Sequence, residues 1–184
     1  MNLDDAEAVK WYGLAAAQGD LAGRHNLAAH YCLGRGGEQN YAAAAELFRL
    51  SAEQSDTVAL YNLACLYHHG QGVEQNQEKA LALCRQAAEK GETGAVFNLG
   101  CLYYWGCGGV QNYKEAVRWL GKDSSNPVAL RMLGECAAKG LDVREHREAA
   151  EQECELWKAQ GRSLTKPDRL YPLSLGTMST IMVF

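Results

Sequence analysis

The residues of this 184-residue chain best able to do chemistry are its seven cysteines and five histidines. Cys65, His68 and His69 fall within one helical turn, and Cys101 and Cys107 lie in an equivalent stretch further on. A cysteine at i and a histidine at i+3 share a helix face and could supply two zinc ligands. No C-x-x-C pair accompanies them, and positions 68 and 69 become Cys32/Leu33 and Tyr104/Trp105 in the neighbouring stretches. Such variation suits a surface that differs along the chain better than a recurring metal site. The cysteine count is odd and no short spacing repeats, so a disulfide framework is not indicated and a reducing compartment is. Cys65 and Cys101 align with Ala29 and read as small buried apolar residues.

Three other patterns invite a catalytic or ligand-binding reading. Ser163 and Lys166 match the S-x-x-K of penicillin-recognising serine enzymes. That motif needs a helix N-terminus inside an α/β domain with S-D-N and K-T-G partners, and the chain has neither tripeptide. The pairs Gly34/Gly36, Gly70/Gly72 and Gly106/Gly108 follow helical patterns and not strands, so they read as turn glycines and not as a dinucleotide cradle. Asn26, Asn62 and Asn98 sit beside a leucine column, where each amide is expected to satisfy loop backbone groups. No cofactor is expected.

The elements that carry these residues recur every 36 positions. Asp4, Asn40, Asn76 and Asn112 are equivalent, as are Ala8, Ala44, Ala80 and Ala116; Leu27, Leu63 and Leu99; and Tyr31, Tyr67 and Tyr103. A fixed period of this size marks a solenoid. In each unit an Asx residue caps an amphipathic helix, a turn follows, and a second helix ends at glycine. The expected pairs are 4–18 with 21–33, 40–54 with 57–69, 76–90 with 93–105, and 112–123 with 127–139. In the fourth the match resumes at an offset of 34, so the turn near Asp123–Asn126 is remodelled and Pro127 opens the second helix. Four pairs over 1–140 are followed by a charged capping helix over 141–160, with Asp142 as its N-cap. Residues 161–184 hold two of the three prolines and are expected to form an irregular tail, its apolar end Ile181–Phe184 packing on the body.

The columns Ala8, Trp11 and Tyr12; Ala87, Ala88 and Gly91; Ala95, Leu99, Gly100, Tyr103, Gly106 and Gly108; and Asn112 with Tyr113 resemble the Sel-one-like repeat (SLR) family, related to tetratricopeptide repeats. The resemblance spans about residues 4–140. It departs at Ser55, where a turn glycine is usual, at Gln77, where an aromatic is, and at Gly37 and Gly109 in place of valine. It implies an all-α, right-handed α-solenoid in which the first helix of each pair lines the concave side.

The formal charge of −4 and a pI near 5.7 argue against nucleic acid and against a polybasic membrane site. No apolar run reaches the ~20 residues of a spanning helix. The N-terminus has no basic and apolar leader pattern, which favours the cytoplasm, with export left open should the N-terminus be truncated. The leading function is a non-enzymatic scaffold that binds a protein or peptide along the repeats. The alternatives are a β-lactamase-like hydrolase of a penicillin or peptidoglycan-type substrate and a cysteine-based redox or metal-handling protein. The expected partner site is a mixed row on the first helices, Glu46, Arg49, Lys79, Arg85 and Arg118, with Tyr41 and Tyr113 at helix starts. A second candidate surface is the aromatic run His25, Tyr61 and Phe97 with His68, Tyr104 and Trp105. Oligomeric state stays open.

Overall fold

The computed structural model describes residues 4–109, 111–123, 125–144 and 147–159. Among them every regular element is helical: α1 (Asp5–Ala17), α2 (Leu21–Leu33), α3 (Tyr41–Ala52), α4 (Thr57–His69), α5 (Gln77–Glu89), α6 (Thr93–Trp105), α7 (Tyr113–Leu120), α8 (Pro127–Ala138) and α9 (Arg147–Ala159). Each packs mainly on its neighbours in sequence, which is the signature of a solenoid of helical hairpins.

Local chemistry sets these boundaries. Helices α1 to α8 each begin at a side chain that accepts a first-turn amide. Asn40, Asn76 and Asn112 accept from Ala43, Lys79 and Glu115 at 2.9, 2.8 and 3.1 Å. At the other end α2, α4 and α6 stop at Gly34, Gly70 and Gly106 in the left-handed conformation. The Asn column then ties back to the Tyr column through backbone bonds, Asn40 N–H to Tyr31, Asn76 to Tyr67 and Asn112 to Tyr103, at 2.8–3.0 Å. Sequence reasoning missed a third column in these loops. Gln39, Gln75 and Gln111 donate Nε2–H to the carbonyls of Cys32, His68 and Tyr104 at 2.6–2.8 Å, closing three helix C-termini in the same way.

Between units, small residues let helices approach. Ala44, Ala80 and Ala116 have no exposed surface, and Leu63, Leu99 and Leu133 fill the space beside them. A Cβ on Gly100 would lie 2.7 Å from Leu120 Cγ, and one on Gly134 2.3 Å from Cys154 Sγ. The core is a chain of neighbouring clusters, from Ala28 and Phe48 through Leu99 and Trp119 to Met132 and Ala150.

One expected boundary needs correction. The first helix of the fourth pair is shorter than 112–123: α7 ends at Leu120 and tightens into a 3-10 turn, Gly121–Asp123. With two residues fewer in the turn, Asp123 turns inward to accept from Asn126 Nδ2 at 3.0 Å. Asp142 accepts an amide two residues on, as Asp56 and Glu92 do at their helix caps. Its carboxylate is held locally by the Arg144 amide at 3.2 Å and the Arg144 guanidinium at 2.7 Å, five residues before α9 begins. Tyr41 and Tyr113 were placed at helix starts, which holds, but neither stands free: Tyr41 takes a bond from Gln39 and Tyr113 packs against Tyr104. The tail expectation and Ser163/Lys166 fall outside the described residues.

Two loop positions generate opposite predictions. Ser55 occupies a left-handed conformation (φ 65°) where the equivalent Gly19 and Gly91 sit at 85° and 90°. A side chain there costs about 1–2 kcal/mol, partly offset by the entropy lost on ordering glycine. Ser55→Gly should therefore stabilise the fold by about 0.5–1 kcal/mol in urea denaturation. Gly72 is the reverse case: its φ is +70° and a Cβ would come within 2.2 Å of the Tyr41 backbone. Gly72→Ala should cost about 2–4 kcal/mol in the same measurement.

Candidate partner-binding surface

Glu46, Arg49, Lys79, Arg85 and Arg118 are all exposed on first helices, but their electrostatic situations differ. Arg49 is neutralised. Its guanidinium holds Glu46 through Nε at 2.9 Å and also pairs with Glu53. The hydrogen bond from Arg49 keeps the Glu46 carboxyl below its ordinary range. Arg118 stands 3.6 Å from Glu115 and 5.6 Å from the Trp119 ring. Among the described residues no carboxylate pairs with Lys79 or Arg85. Lys79 Nζ lies 5.2 Å from the centre of the Tyr67 ring. Arg85 bonds the Tyr103 hydroxyl and lies 5.8 Å from that ring's centre. Tyr67 and Tyr103 are half-buried and face these cations. For Arg85 and Tyr103 the available signal was a tyrosine 18 residues after an arginine.

The second candidate surface is mostly interior. Tyr61, His68 and Tyr104 are 1%, 5% and 2% exposed, and Trp105 and Phe97 are half-buried. Tyr104 donates to Glu135 Oε2 at 2.6 Å, accepts from Lys139 Nζ at 3.3 Å, and meets Trp105 and Tyr113 edge-on at 4.8 and 5.3 Å. These rings are what the following unit packs on, so His68 and Tyr104 present no ring to a partner. The asparagine column also differs from expectation. Asn98 donates not to a loop but to the Tyr61 hydroxyl, 2.6 Å away in the preceding unit. A buried phenol needs such a partner, and here the stacked neighbour supplies one.

None of the seven cysteines is in a disulfide, and five are buried. Burial pushes Cys32 and Cys84 up to about 12 and Cys136 to about 11, and raises Cys65 and Cys101 as well. Among the described residues no group of three or more His, Cys, Asp or Glu side chains is placed to hold a metal ion. Cys65 and His68, the pair suggested by spacing, are both buried, while His69 is exposed.

The Sel1 repeat pattern matches residues 3–20, 22–56, 57–92, 94–122 and 127–151, well over half of the chain. The chain belongs to the Sel1 repeat family. Its fifth match runs into α9, beyond the 4–140 span of the resemblance. Two solved structures share the fold. One is c5321, described as a protective antigen present in uropathogenic Escherichia coli strains displaying an SLR fold, at 29% identity and a TM-score of 0.74 over 86% of this chain and 34% of that one. The other is a Sel1 repeat protein from Oxalobacter formigenes, at 28% identity and a TM-score of 0.67 over 79% and 61%. The chain therefore spans about a third and three-fifths of their lengths. Among curated proteins none matches in sequence. Sel1 repeat proteins are typically non-enzymatic protein-interaction scaffolds. No helix among the described residues is long and apolar enough to cross a membrane.

The buried thiols and imidazoles of this Sel1 protein give two predictions. Iodoacetamide at pH 8 should modify half-buried Cys107 and Cys154 first, with the five buried thiols slower by about two orders of magnitude until denaturant is added, as read by peptide mass spectrometry. Desolvation lowers His68, with His69 adding to the effect, and lowers His25 against the opposing pull of Asp56 and Glu92. A lowered folded pKa means the unfolded chain binds more protons below its own value of 6.5, so stability falls as pH drops through and below that value. Urea midpoints should decline from pH 7.5 to 5.5, and His68→Gln should flatten part of that slope.

Proposed function

We propose that this Sel1 protein is an interaction scaffold that clamps an extended protein segment along its first-helix side. Lys79 and Arg85, with Tyr67 and Tyr103, form the anchor. The observation that carries this reading is the contrast between two cations resting on tyrosine faces without carboxylate partners and an Arg49 already held by Glu46 and Glu53. An unpaired guanidinium or ammonium beside a ring can bond a partner's carboxylate or backbone oxygen without first breaking an ion pair. That the first helices line a concave groove is carried over from related repeats.

The same reading takes 1–140 as the four-pair body and α9 as the start of its cap. It is supported by the approach of Cys154 to Gly134, which repeats that of Leu120 to Gly100. Seven free thiols support a reducing compartment such as the cytoplasm.

Affinity capture from native extract, quantified by mass spectrometry, tests the anchor. Lys79→Glu with Arg85→Glu should lose bound partners about tenfold or more, and Arg49→Glu should lose far less. Unchanged partners in the first variant, with loss in Trp105→Ala protein that remains helical by circular dichroism, would move the site to the second-helix surface.

A further inference from the structure

The residue between the two cations of the Lys79–Arg85 anchor bears on what that anchor grips. Position 82 of α5 belongs to the column Lys10, Glu46, Ala82 and Arg118. Ala82 is exposed and stands three residues from Lys79 on one side and three from Arg85 on the other. On α3 the same spacing holds a carboxylate: Glu46 accepts from Arg49 Nε at 2.9 Å, and Glu53 pairs with the same guanidinium. On α5 no carboxylate stands at that place. Arg85 bonds the Tyr103 hydroxyl of α6 instead, and Lys79 Nζ rests 5.2 Å from the centre of the Tyr67 ring of α4. Glu78 and Glu89 are exposed on the same helix, and neither pairs with these two cations.

A methyl group thus lies between two cations that rest on tyrosines. Six residues of α-helix rise about 9 Å, a span that about three residues of extended chain cover. A segment laid along α5 over Ala82 therefore brings side chains three apart to Lys79 and Arg85. The next first helix keeps the same sign. Lys114, Arg118 and Lys122 recur at four-residue steps and are all exposed, where α5 has Glu78, Ala82 and Gln86. The acids beside them are engaged: Glu115 lies 3.6 Å from Arg118 and takes the Trp119 indole N–H at 3.2 Å, and Asp123 accepts from Asn126. Although the chain as a whole carries a charge of −4, cations outnumber acids along α5 and α7. An anionic occupant complements this side.

We infer that the segment held here is an acidic stretch of a partner protein, extended along α5 over Ala82, with two carboxylates three residues apart, one on Lys79 and one on Arg85. This rests on the anchor proposed above and adds the chemistry of what it takes. A charge-assisted bond to a carboxylate is stronger than the bond Arg85 makes to the neutral Tyr103 hydroxyl, so the exchange favours the partner. The Glu46–Arg49 pair also shows how the site can be closed from within. A glutamate at position 82 stands three residues from both cations and competes with the partner for each.

A displayed library of short random peptides, selected on the full chain at about 150 mM salt to screen long-range attraction, reads the class of partner. Recovered peptides should be enriched in Glu or Asp pairs three residues apart. The tightest of them, labelled with fluorescein, should bind about tenfold or more weakly to Lys79→Glu/Arg85→Glu protein in fluorescence anisotropy. Ala82→Glu should weaken it several-fold, and Ala82→Gln, with similar bulk and no charge, should weaken it less. The same peptide with its two acids changed to lysine should prefer the Lys79→Glu/Arg85→Glu protein to the unchanged chain, a reversal that damage to the fold cannot produce. Peptides that need Lys79 and Arg85 yet show no acidic enrichment overturn the inference and leave the anchor standing. Peptides indifferent to Lys79→Glu/Arg85→Glu overturn it too, as does a selection that recovers none, and the capture from extract then decides the anchor by itself.

Discussion

Each helix pair in this protein leaves an apolar stripe that only the next pair can cover, and almost every other feature depends on how closely the two can approach. Distance is set by side-chain size at a few columns. Alanines at 44, 80 and 116 are wholly buried, and at Gly100 and Gly134 even a methyl group would collide with the neighbouring helix. Larger residues then fill the space at the sides: Leu99, Leu102 and Trp119 in one junction, Met132 and Leu133 in the next. At roughly 25 cal/mol per Å² of apolar surface removed from water, these contacts dominate the stability of a thin core. The loops serve the same end. Gly36, Gly72 and Gly108 bring each loop onto the first turn of its own unit's first helix, and the glutamine column seals the helix ends.

Regular stacking coexists with variable chemistry at the junctions. The position filled by Tyr61, whose hydroxyl takes a bond from Asn98, is His25 one unit earlier, where a shallow cavity of about 290 Å³ opens beside Asp56 and Val58. His68 and Tyr104 occupy one column, yet the first is a desolvated imidazole and the second the centre of a phenol, carboxylate and ammonium cluster. Each unit thus keeps the shape of the joint while changing its polarity.

Charge is distributed by the same logic. Some exposed cations are matched locally on their own helix, as Arg49 is by Glu46 and Glu53 and Lys158 by Glu155. Lys79 and Arg85 instead lie on tyrosine faces. Exposed ion pairs add little to stability, so what the difference alters is availability to a partner.

The repeat made the architecture legible from the sequence alone. A 36-residue period, Asx residues at each first-helix cap, glycines at the second-helix ends and an Ala–Leu–Tyr pattern sufficed for the helix boundaries and the Sel1 relationship. These are local and periodic properties, and a helix cap or a left-handed glycine acts on its own turn of chain. The structure decided what depends on a second segment. Asn98 was taken as a loop ligand because its true partner, Tyr61, is 37 residues away. The row of first-helix charges looked uniform until packing showed which cations already had carboxylates and which had rings. Hydrophobic periodicity reports which face is buried; which groups meet across that face depends on how neighbouring units close on one another.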